Sequence, residues 1–388
     1  MKWNSVLIET WRDIMEWNAM LYPDKVAFHE VATDREWTFQ QHNEVVNMLC
    51  NALFDLGLEK GDRVAVLSGD LIEYCQIAMI CKAGLVYVPI NWRLTGPEAA
   101  HIVNESGAKA LFIDKDHVDI ARSINKDIPE VKHFICINAS PGDMMNYNDF
   151  IASASPEDPG VDVEETDILG IPYTSGTAAF PKGVVRTHAD VLVIDRLQVR
   201  DPRYRHDDIY LGALPLFHVA MLNLQFALYM IGATQRIMRF EPKAIMEAIQ
   251  KYKVTVWQGV PTMVISVMDH PDRPRYDLST LRVVIYVGSP MPSGAARRAW
   301  KTFGPILFQV YGATEGGGTI LIPEDHAKAF EDPSKEYILN SAGKPITGSE
   351  LKIVDDNDNE VPLGTMGEVC FRTKKMVTQY LKKPEEKY

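Results

Sequence analysis

A loop rich in glycine and hydroxyl residues occupies positions 173–185, where the sequence is YTSGTAAFPKGVV. It follows an apolar run at 168–171. Backbone N–H groups, hydroxyls and the cation of Lys182 in one short loop suit an anionic ligand such as a phosphate chain. The same residue types also form ordinary surface turns. Alone, the loop therefore favours phosphate binding only weakly.

This loop is not a Walker A phosphate loop. That motif needs a glycine, four further residues and then Gly-Lys-Ser or Gly-Lys-Thr. Here Lys182 is preceded by Pro181 and followed by Gly183. The sequence thus disfavours a P-loop nucleotide hydrolase.

A second segment with chemical potential is YGATEGG at 311–317, directly after the apolar run 306–310. In open α/β sheets, ligands bind at the carboxyl ends of strands. Tyr311 can stack on a flat base, Thr314 can donate to a phosphate oxygen, and Glu315 can hold a magnesium ion. The alternative is a plain β-turn with a solvated glutamate.

Alternating strands and helices are expected to position these segments. Thr38 and Gln41 form a capping-box signature at the start of a helix that Gly57 ends, and Thr95 and Gly107 bound another helix. The first series has strands at 26–29, 63–67, 86–90 and 108–113, and further helices at 4–20 and 71–82. Apolar strands alternating with helices predict a parallel sheet covered on both faces.

A second α/β series begins at Asp167, after a polar stretch at 138–165 that we interpret as a linker or a loosely packed excursion. Its strands are expected near 167–173, 208–214, 235–239, 254–259, 282–287 and 306–311, and its helices at 218–230, 243–251, 262–270 and 294–303. Strands at 350–354 and 368–372 then flank an acidic turn, 355–360, which lacks the glycine and glutamate of a calcium loop. The predicted fold is α/β, with two packed α/β subdomains of mainly parallel sheets (1–165 and 166–342) and a small C-terminal β unit (343–388).

Composition limits the classes of function. The chain has 388 residues, 46% of them hydrophobic, and a net charge of −12, which argues against nucleic acid as the main partner. We expect no transmembrane segment and no secretory signal, since the apolar runs are too short. Five scattered cysteines without a CxxC pair favour a reducing cytoplasm. The sequence allows a homodimer.

Together the two segments resemble the phosphate-binding and adenine-binding motifs of the adenylate-forming superfamily. This superfamily contains acyl-CoA synthetases, luciferases and the adenylation domains of peptide synthetases. Further stretches resemble its motifs in the same order: LPLFH at 214–218, GVPT at 259–262, VGSP at 287–290, GKP at 343–345 and the segment 364–368. The resemblance covers nearly the whole chain and implies the N-terminal-domain fold of an acyl-CoA synthetase.

The resemblance implies a reaction. A carboxylic acid would attack ATP, with Mg²⁺ present, to give an acyl-adenylate and pyrophosphate, and coenzyme A would then displace AMP. It implies phosphate contacts from Thr174, Ser175, Gly176, Thr177 and Lys182, an α-phosphate contact from Thr314, and a magnesium contact from Glu315. The adenosine would be framed by Gly288, Ser289, Pro290, Tyr311, Gly312 and Ala313. Thr177, Lys182 and Glu315 would be the catalytic residues.

The acyl pocket is assigned to His218, Met221 and Val260 by the same resemblance. A histidine at the start of a helix is also commonly a cap or a core residue, and a methionine on an apolar helix is commonly core. Peptide-synthetase domains usually have an aspartate beside the aromatic residue of this motif, whereas this chain has Phe217-His218-Val219. A plain organic acid is therefore favoured over an amino acid.

The sequence departs from the family pattern in two ways. Ala178-Ala179 stands where the family loop usually has Thr-Gly, which removes one hydroxyl donor and restricts the backbone. The family's ribose-binding aspartate, hinge and lysine-containing C-terminal domain have no counterpart in these 388 residues. We expect a large N-terminal portion with little ligase activity alone. The alternatives are a non-catalytic module that binds acyl or adenylate ligands, and an amino-acid adenylation domain.

Overall fold

A computed structural model describes residues 8–174, 181–373 and 380–382. The chain forms two compact units. Unit 1 comprises Met1–Leu192, Leu214–Arg239 and Val377–Tyr388, and unit 2 comprises Val193–Ala213 and Phe240–Met376. The three-part division of the sequence stays a prediction.

The strands agree with most of the predicted positions. In chain order they are β1 (Val26–Glu30), β2 (Arg35–Thr38), β3 (Arg63–Leu67), β4 (Val86–Pro89), β5 (Ala108–Ile113), β6 (His133–Cys136), β7 (Met145–Asn146), β8 (Ile168–Gly170), β9 (Arg186–Thr187), β10 (Ile209–Gly212), β11 (Thr234–Ile237), β12 (Val256–Gly259), β13 (Val283–Val287), β14 (Leu307–Ala313), β15 (Gly316–Leu321), β16 (Lys344–Pro345), β17 (Ser349–Val354) and β18 (Glu368–Thr373).

The α-helices lie between these strands. They are α1 (Trp11–Leu21), α2 (Phe39–Asp55), α3 (Ile72–Ala78), α4 (Gly96–Ser106), α5 (Val118–Ile124), α6 (Tyr147–Ala152), α7 (His188–Arg200), α8 (Val219–Met230), α9 (Pro242–Tyr252), α10 (Pro261–Met268), α11 (Ser293–Phe303) and α12 (Pro323–Glu331).

Unit 1 is built on a seven-stranded sheet in the order β7-β6-β5-β3-β4-β8-β9. Its pairs are parallel from β7 to β8, and only β9 runs antiparallel to its neighbour. Apolar side chains of β3, β4 and β5, such as Leu67, Val88 and Leu111, are fully buried against α4 and α5. The same unit contains β1, paired parallel with β11 and antiparallel with β2.

Unit 2 contains the strand series β10-β12-β13-β14-β15-β16. The strands from β10 to β14 are parallel, and β15 and β16 are antiparallel to their neighbours. An antiparallel hairpin, β17 and β18, follows. The α/β fold of mainly parallel sheets with a small C-terminal β unit is confirmed.

Local sequence signals account for several element boundaries. The Thr38 hydroxyl accepts the backbone N–H of Gln41, and the Gln41 side chain accepts that of Thr38, which confirms the predicted capping box of α2. Thr95 and Glu98 form the same arrangement at α4, which ends at Gly107 in a left-handed conformation. In the acidic turn, the Asp355 carboxylate accepts the N–H groups of Asn357 and Asn359, each at 2.9 Å, as expected of a hairpin loop.

Three predicted elements were wrong in part. Residues 8–10 are not helical and α1 begins at Trp11, because Thr10 and Asp13 form a capping box there, while the predicted part at 4–7 lies outside the described residues. The helix expected at 71–82 ends at Ala78 and is followed by a tighter 3₁₀ turn, Ile80–Ala83. The stretch 138–165 contains β7 and α6, and Tyr147 is almost fully buried, so this part is packed structure.

Two distant parts of unit 1 meet at His188, the first residue of α7. Its Nδ1 atom accepts the backbone N–H of Trp11 at 3.1 Å. His188 is fully buried, and this burial lowers its pKa to about 4. The acceptor geometry requires an unprotonated Nδ1 atom, so the folded chain keeps this imidazole neutral.

Within the described ranges, no helix is long and apolar enough to cross a membrane.

We predict that His188 makes the folding stability depend on pH. An unfolded histidine has a pKa of about 6.5. The unfolded chain therefore binds this proton more readily, and the free energy of unfolding should fall as pH drops from 6.5 towards 4. The fall is limited to about 1.4 kcal/mol per pH unit for this group, and its contribution is fully present above pH 6.5.

Urea titrations at pH 4.5 to 7.5 measure this dependence. His188→Gln should have a shallower dependence on pH than the parent chain. His206→Gln replaces an exposed imidazole and is the matched control. Equal slopes for His188→Gln and the parent chain would contradict the prediction.

Candidate active site

In unit 1, backbone pairing joins the two ends of the predicted phosphate-binding loop, 173–185. Tyr173 and Gly183 form an antiparallel bridge. The Thr174 N–H donates to the Lys182 carbonyl at 3.0 Å, and the Val184 N–H donates to the Pro172 carbonyl at 2.8 Å. Thr174 and Lys182, the first and last predicted phosphate ligands, therefore lie side by side.

Ser175, Gly176 and Thr177, and the departure at Ala178-Ala179, lie outside the described residues.

Close packing at the base explains the glycine at position 183. A Cβ atom there would lie 2.9 Å from Cζ of Tyr173 and 3.0 Å from Ile171. The Tyr173 ring itself packs against the apolar core of the seven-stranded sheet. Burial raises the pKa of Tyr173, so its phenol stays neutral at ordinary pH. The loop base is thus joined to the sheet through one aromatic ring.

His218 is the N-cap of α8. Its Nδ1 atom accepts the backbone N–H of Ala220 at 3.1 Å. The ring is exposed, and partial desolvation lowers the pKa of His218. With Nδ1 as the acceptor, the neutral ring carries its proton on Nε2 and presents a donor. Met221, one turn into the helix, is fully buried in unit 1.

The segment that precedes His218 is held by a residue that sequence patterns did not identify. The carboxylate of Asp70, just after β3, accepts the Leu216 N–H at 2.7 Å. Burial is the main cause that raises the pKa of Asp70. The Phe217 ring lies edge-on to Trp92, with centroids 6.5 Å apart, and the Arg93 guanidinium lies 4.0 Å from the Trp92 ring.

In unit 2, strand register brings three predicted site residues to one edge of the sheet. Gly259 pairs with Tyr286, and Val287 pairs with Val310. Val260, Gly288 and Tyr311 therefore form a row where the parallel pairing of β12, β13 and β14 ends, with Gly288 level with Tyr311 and Val260 one register position earlier. A Cβ atom on Gly288 would lie 3.6 Å from the Val260 side chain.

The residues of this row that are predicted to bind adenosine, with their neighbours, are exposed to solvent. Gly288, Ser289 and Pro290 are exposed, as is Gly312. Tyr311 is 45% exposed. Its ring lies 6.5 Å from the Phe371 ring, centroid to centroid. An aromatic face that is half open and supported from behind is suited to stacking on a base.

Thr314 and Glu315 form a two-residue turn between β14 and β15, closed by the pairing of Ala313 with Gly316. Glu315 is buried, with 8% of its surface exposed. Within the described ranges, no group of three or more His, Cys, Asp or Glu side chains could hold a metal ion. A single carboxylate fits magnesium, which usually binds through one or two carboxylates together with substrate phosphates and water.

A buried polar chain supports β13 and β14 behind this row. Nδ1 of His326 lies 2.9 Å from the Ile322 carbonyl, which can only accept, so Nδ1 carries the proton. Its Nε2 atom accepts from the Tyr286 hydroxyl at 2.8 Å, and Gln309 lies 3.2 Å from the same hydroxyl. Burial lowers the pKa of His326, which keeps this arrangement neutral.

The predicted site residues are therefore divided between the units. Unit 1 contains Thr174, Lys182, His218 and Met221, and unit 2 contains Val260, Gly288, Ser289, Pro290, Tyr311, Gly312, Ala313, Thr314 and Glu315. Sequence patterns did not identify Asp70, Trp92 or Arg93. Their signal was available, since Asp70 and Trp92 each follow a predicted parallel strand.

Comparison with known proteins defines the class. The chain matches the model of the AMP-binding enzyme family over residues 15–381, and it belongs to that family. The resemblance to adenylate-forming enzymes is thereby confirmed.

Similar proteins are acid ligases. The chain is 31% identical over 363 residues to the fatty acid–[acyl-carrier-protein] ligase ScoC of Streptomyces coeruleorubidus, covering 91% of this chain and 67% of ScoC. It is 29% identical over 373 residues to 4-coumarate–CoA ligase 1 of Petroselinum crispum, covering 93% of this chain and 67% of that enzyme. The chain thus spans about two thirds of the length of both ligases.

A solved structure gives the same fold. The N-terminal domain of FACL13 from Mycobacterium tuberculosis superposes with a TM-score of 0.87 at 28% sequence identity, covering 98% of this chain and 93% of that domain.

We predict that replacing Gly317 lowers the free energy of unfolding. Its φ is +70°, and an added Cβ would lie 2.6 Å from the Phe371 ring. Gly317→Ala should lower the free energy of unfolding by about 1–2 kcal/mol for the backbone conformation, and by a further amount for the displaced ring.

The matched control is Gly364→Ala, where φ is +86° and nothing lies within 4 Å of the new Cβ. Denaturant titrations of both variants separate the two effects. An equal loss of stability in both would show that the contact with Phe371 contributes nothing.

Proposed function

We propose that this chain is the nucleotide- and acid-binding part of an AMP-forming acid–thiol ligase of the acyl-CoA synthetase type. The main support is the pairing of Thr174 with Lys182 at the loop base in a chain of the AMP-binding enzyme family. The row Val260, Gly288 and Tyr311 at three parallel strand ends is the second support.

The proposed reaction has two steps. A carboxylate oxygen of the acid attacks the α-phosphorus of ATP, and the bond to the β-phosphate oxygen breaks, which releases pyrophosphate and leaves an acyl-adenylate. A thiolate sulfur then attacks the acyl carbon, and the bond to AMP breaks. The first step brings two anions together, so positioning and charge neutralisation should supply most of the catalysis.

The proposed phosphate ligands neutralise this charge. Lys182, with Thr174, Ser175, Gly176 and Thr177, would bind the β- and γ-phosphates. Because the loop ends are paired through their backbones, the Lys182 side chain extends from a fixed backbone position. Thr314 would donate to the α-phosphate as charge develops there.

Magnesium is part of the proposal through Glu315. When bound, the ion would screen the phosphate charge and favour departure of pyrophosphate. Glu315 would hold it with one carboxylate from the turn between β14 and β15, and its burial limits how far that carboxylate can move.

The adenosine would lie along the row at the strand ends of unit 2. Tyr311 offers its exposed face to the base, and Gly288, Ser289, Pro290, Gly312 and Ala313 offer backbone groups. Gly288 has a φ of +87°, which favours glycine, and it has no side chain to cover its backbone groups.

The acid is proposed to be a plain organic acid bound near His218, Met221 and Val260. The neutral His218 ring can donate from Nε2 to a carboxylate or a ring substituent. The motif at 217–219 has no carboxylate to pair with an amino group. An amino-acid substrate is correspondingly disfavoured.

The thiol is proposed to be coenzyme A. The two curated relatives differ on this point, since ScoC is described as acting with acyl-carrier protein and the Petroselinum enzyme with CoA. A parallel assay with each acceptor distinguishes them.

A second candidate is a non-catalytic module that binds acyl or adenylate ligands. Ala178-Ala179 in the loop favours it, because the family pattern has a hydroxyl and a glycine there. This candidate predicts binding without turnover.

The proposed location is the cytoplasm, and the proposal allows a homodimer. All five cysteines are free thiols, and four of them are buried, as expected in a reducing compartment.

ATP–pyrophosphate exchange across a panel of carboxylic acids tests the proposed function. We expect exchange with at least one organic acid when the protein is assayed at its full natural length. The 388-residue chain alone should form little thioester, because the relatives contain a further third of sequence.

Lys182→Gln should lower the exchange rate about 100-fold or more, since it removes a cation that neutralises developing charge. Lys301→Gln, on an exposed helical position, is the control. Absence of exchange with every acid would contradict the ligase proposal, and full thioester formation by the 388 residues would contradict the need for further sequence.

The two roles of His218 can be separated by substitution. His218→Ala should lower the free energy of unfolding by about 0.5–2 kcal/mol, because the N-cap acceptor is lost. His218→Asn should restore that stability, since asparagine is a good N-cap. Both variants should raise KM for the acid in the exchange assay. A normal KM in His218→Asn would show that the residue acts only as a cap.

A further inference from the structure

A short segment from far along the chain, Tyr380–Lys382, lies against the end of the phosphate loop in unit 1. We call it the strap. Tyr380 forms an antiparallel backbone bridge with Val184. The Leu381 N–H donates to the Gly183 carbonyl at 2.8 Å. The strap thus pairs with the two residues that directly follow Lys182.

Two further contacts fix the strap. The Leu381 side chain packs against the apolar core of the seven-stranded sheet. The Lys382 ammonium group donates to the Asn104 carbonyl at 3.5 Å. The backbone of Tyr380 is therefore held by its own bridge and by the contacts of the two residues that follow it.

The ring of Tyr380 meets the loop lysine. The ammonium nitrogen of Lys182 lies 5.1 Å from the centroid of that ring. A cation within about 6 Å of an aromatic centroid is attracted by the negative face of the ring. A lysine head on its four-carbon stem samples many rotamers, and a contact on the head restricts them.

We propose that Tyr380 is a positioning residue for Lys182. Its ring holds the ammonium group at the base of the phosphate loop, so that less side-chain freedom is lost when the triphosphate binds. The inference rests on the proposed function, because it takes a nucleotide triphosphate as the ligand of Lys182. Tyr380 acts through the lysine.

The backbone bridge alone does not explain a tyrosine at this position. The bridge to Val184 uses main-chain atoms, which any residue except proline provides. The aromatic face is what the contact with Lys182 requires. Side-chain substitutions at Tyr380 consequently separate a merely structural strap from a positioning role.

Exchange kinetics test the effect on ATP. Tyr380→Leu should raise KM for MgATP about two- to fivefold, the weight of one partly exposed cation–aromatic contact, with KM for the acid unchanged. Tyr380→Phe keeps the aromatic face and should restore the parent value. Tyr252→Leu removes a similar contact with Lys251, 4.6 Å from its ring, and should have no effect on KM for MgATP.

A readout without turnover tests the contact itself. Reductive methylation with ¹³C-formaldehyde gives lysine methyl signals, and Lys182→Arg assigns the signal of Lys182. We expect this signal to be shifted upfield by the Tyr380 ring current, to lose that shift in Tyr380→Leu and to keep it in Tyr380→Phe.

The two readouts separate this inference from the proposed function. Exchange activity without the ring-current shift, or equal KM for MgATP in Tyr380→Leu and Tyr380→Phe, would overturn the positioning role. A ring-current shift that depends on Tyr380, in a protein that exchanges with no acid, would support the contact and reject the ligase proposal.

Discussion

Parallel strand pairing determines where the site residues of unit 2 lie. The parallel pairing of β12, β13 and β14 ends at one edge of the sheet. This register places Gly288 beside Tyr311, with Val260 one position earlier. The Tyr286 hydroxyl, which donates to His326 Nε2 and lies 3.2 Å from Gln309, then supports β13 and β14 in the interior.

In unit 1, the two ends of the 173–185 loop are fixed by their own contacts. The backbone bond between Thr174 and Lys182 closes the base, and the Tyr173 ring joins that base to the core. Gly183 is required by this close approach rather than by an unusual backbone angle. The strap pairs with the same base from the other side.

Elements could be predicted from sequence where the signal is local. Strands β3 and β5 have the predicted bounds, and the capping box at Thr38 gives the start of α2, because short apolar runs and end-capping depend on near neighbours. The short strand β2 was missed because two of its four residues, Arg35 and Glu36, are charged and exposed. The bond from Trp11 to His188 joins residues 177 positions apart, and no local pattern indicates it.

The candidate site shows the same contrast between local sequence signals and long-range contacts. Motif residues such as Lys182 and Glu315 were predicted from types and spacing, whereas Asp70 and Tyr380 make backbone and aromatic contacts that only the folded chain reveals. Helix α1 shows an intermediate case, since the Thr10–Asp13 capping box is visible in the sequence once the start of the helix is known.

Direct binding of nucleotide is the most direct test of the central claim, because it needs neither an acid nor a thiol. Isothermal titration of the 388-residue chain with MgATP should give one site per chain, and Lys182→Gln should weaken binding about tenfold or more through loss of a charge-assisted contact to phosphate. Failure to bind MgATP, or equal affinity in the parent chain and Lys182→Gln, would contradict the assignment of the 173–185 loop as a phosphate site.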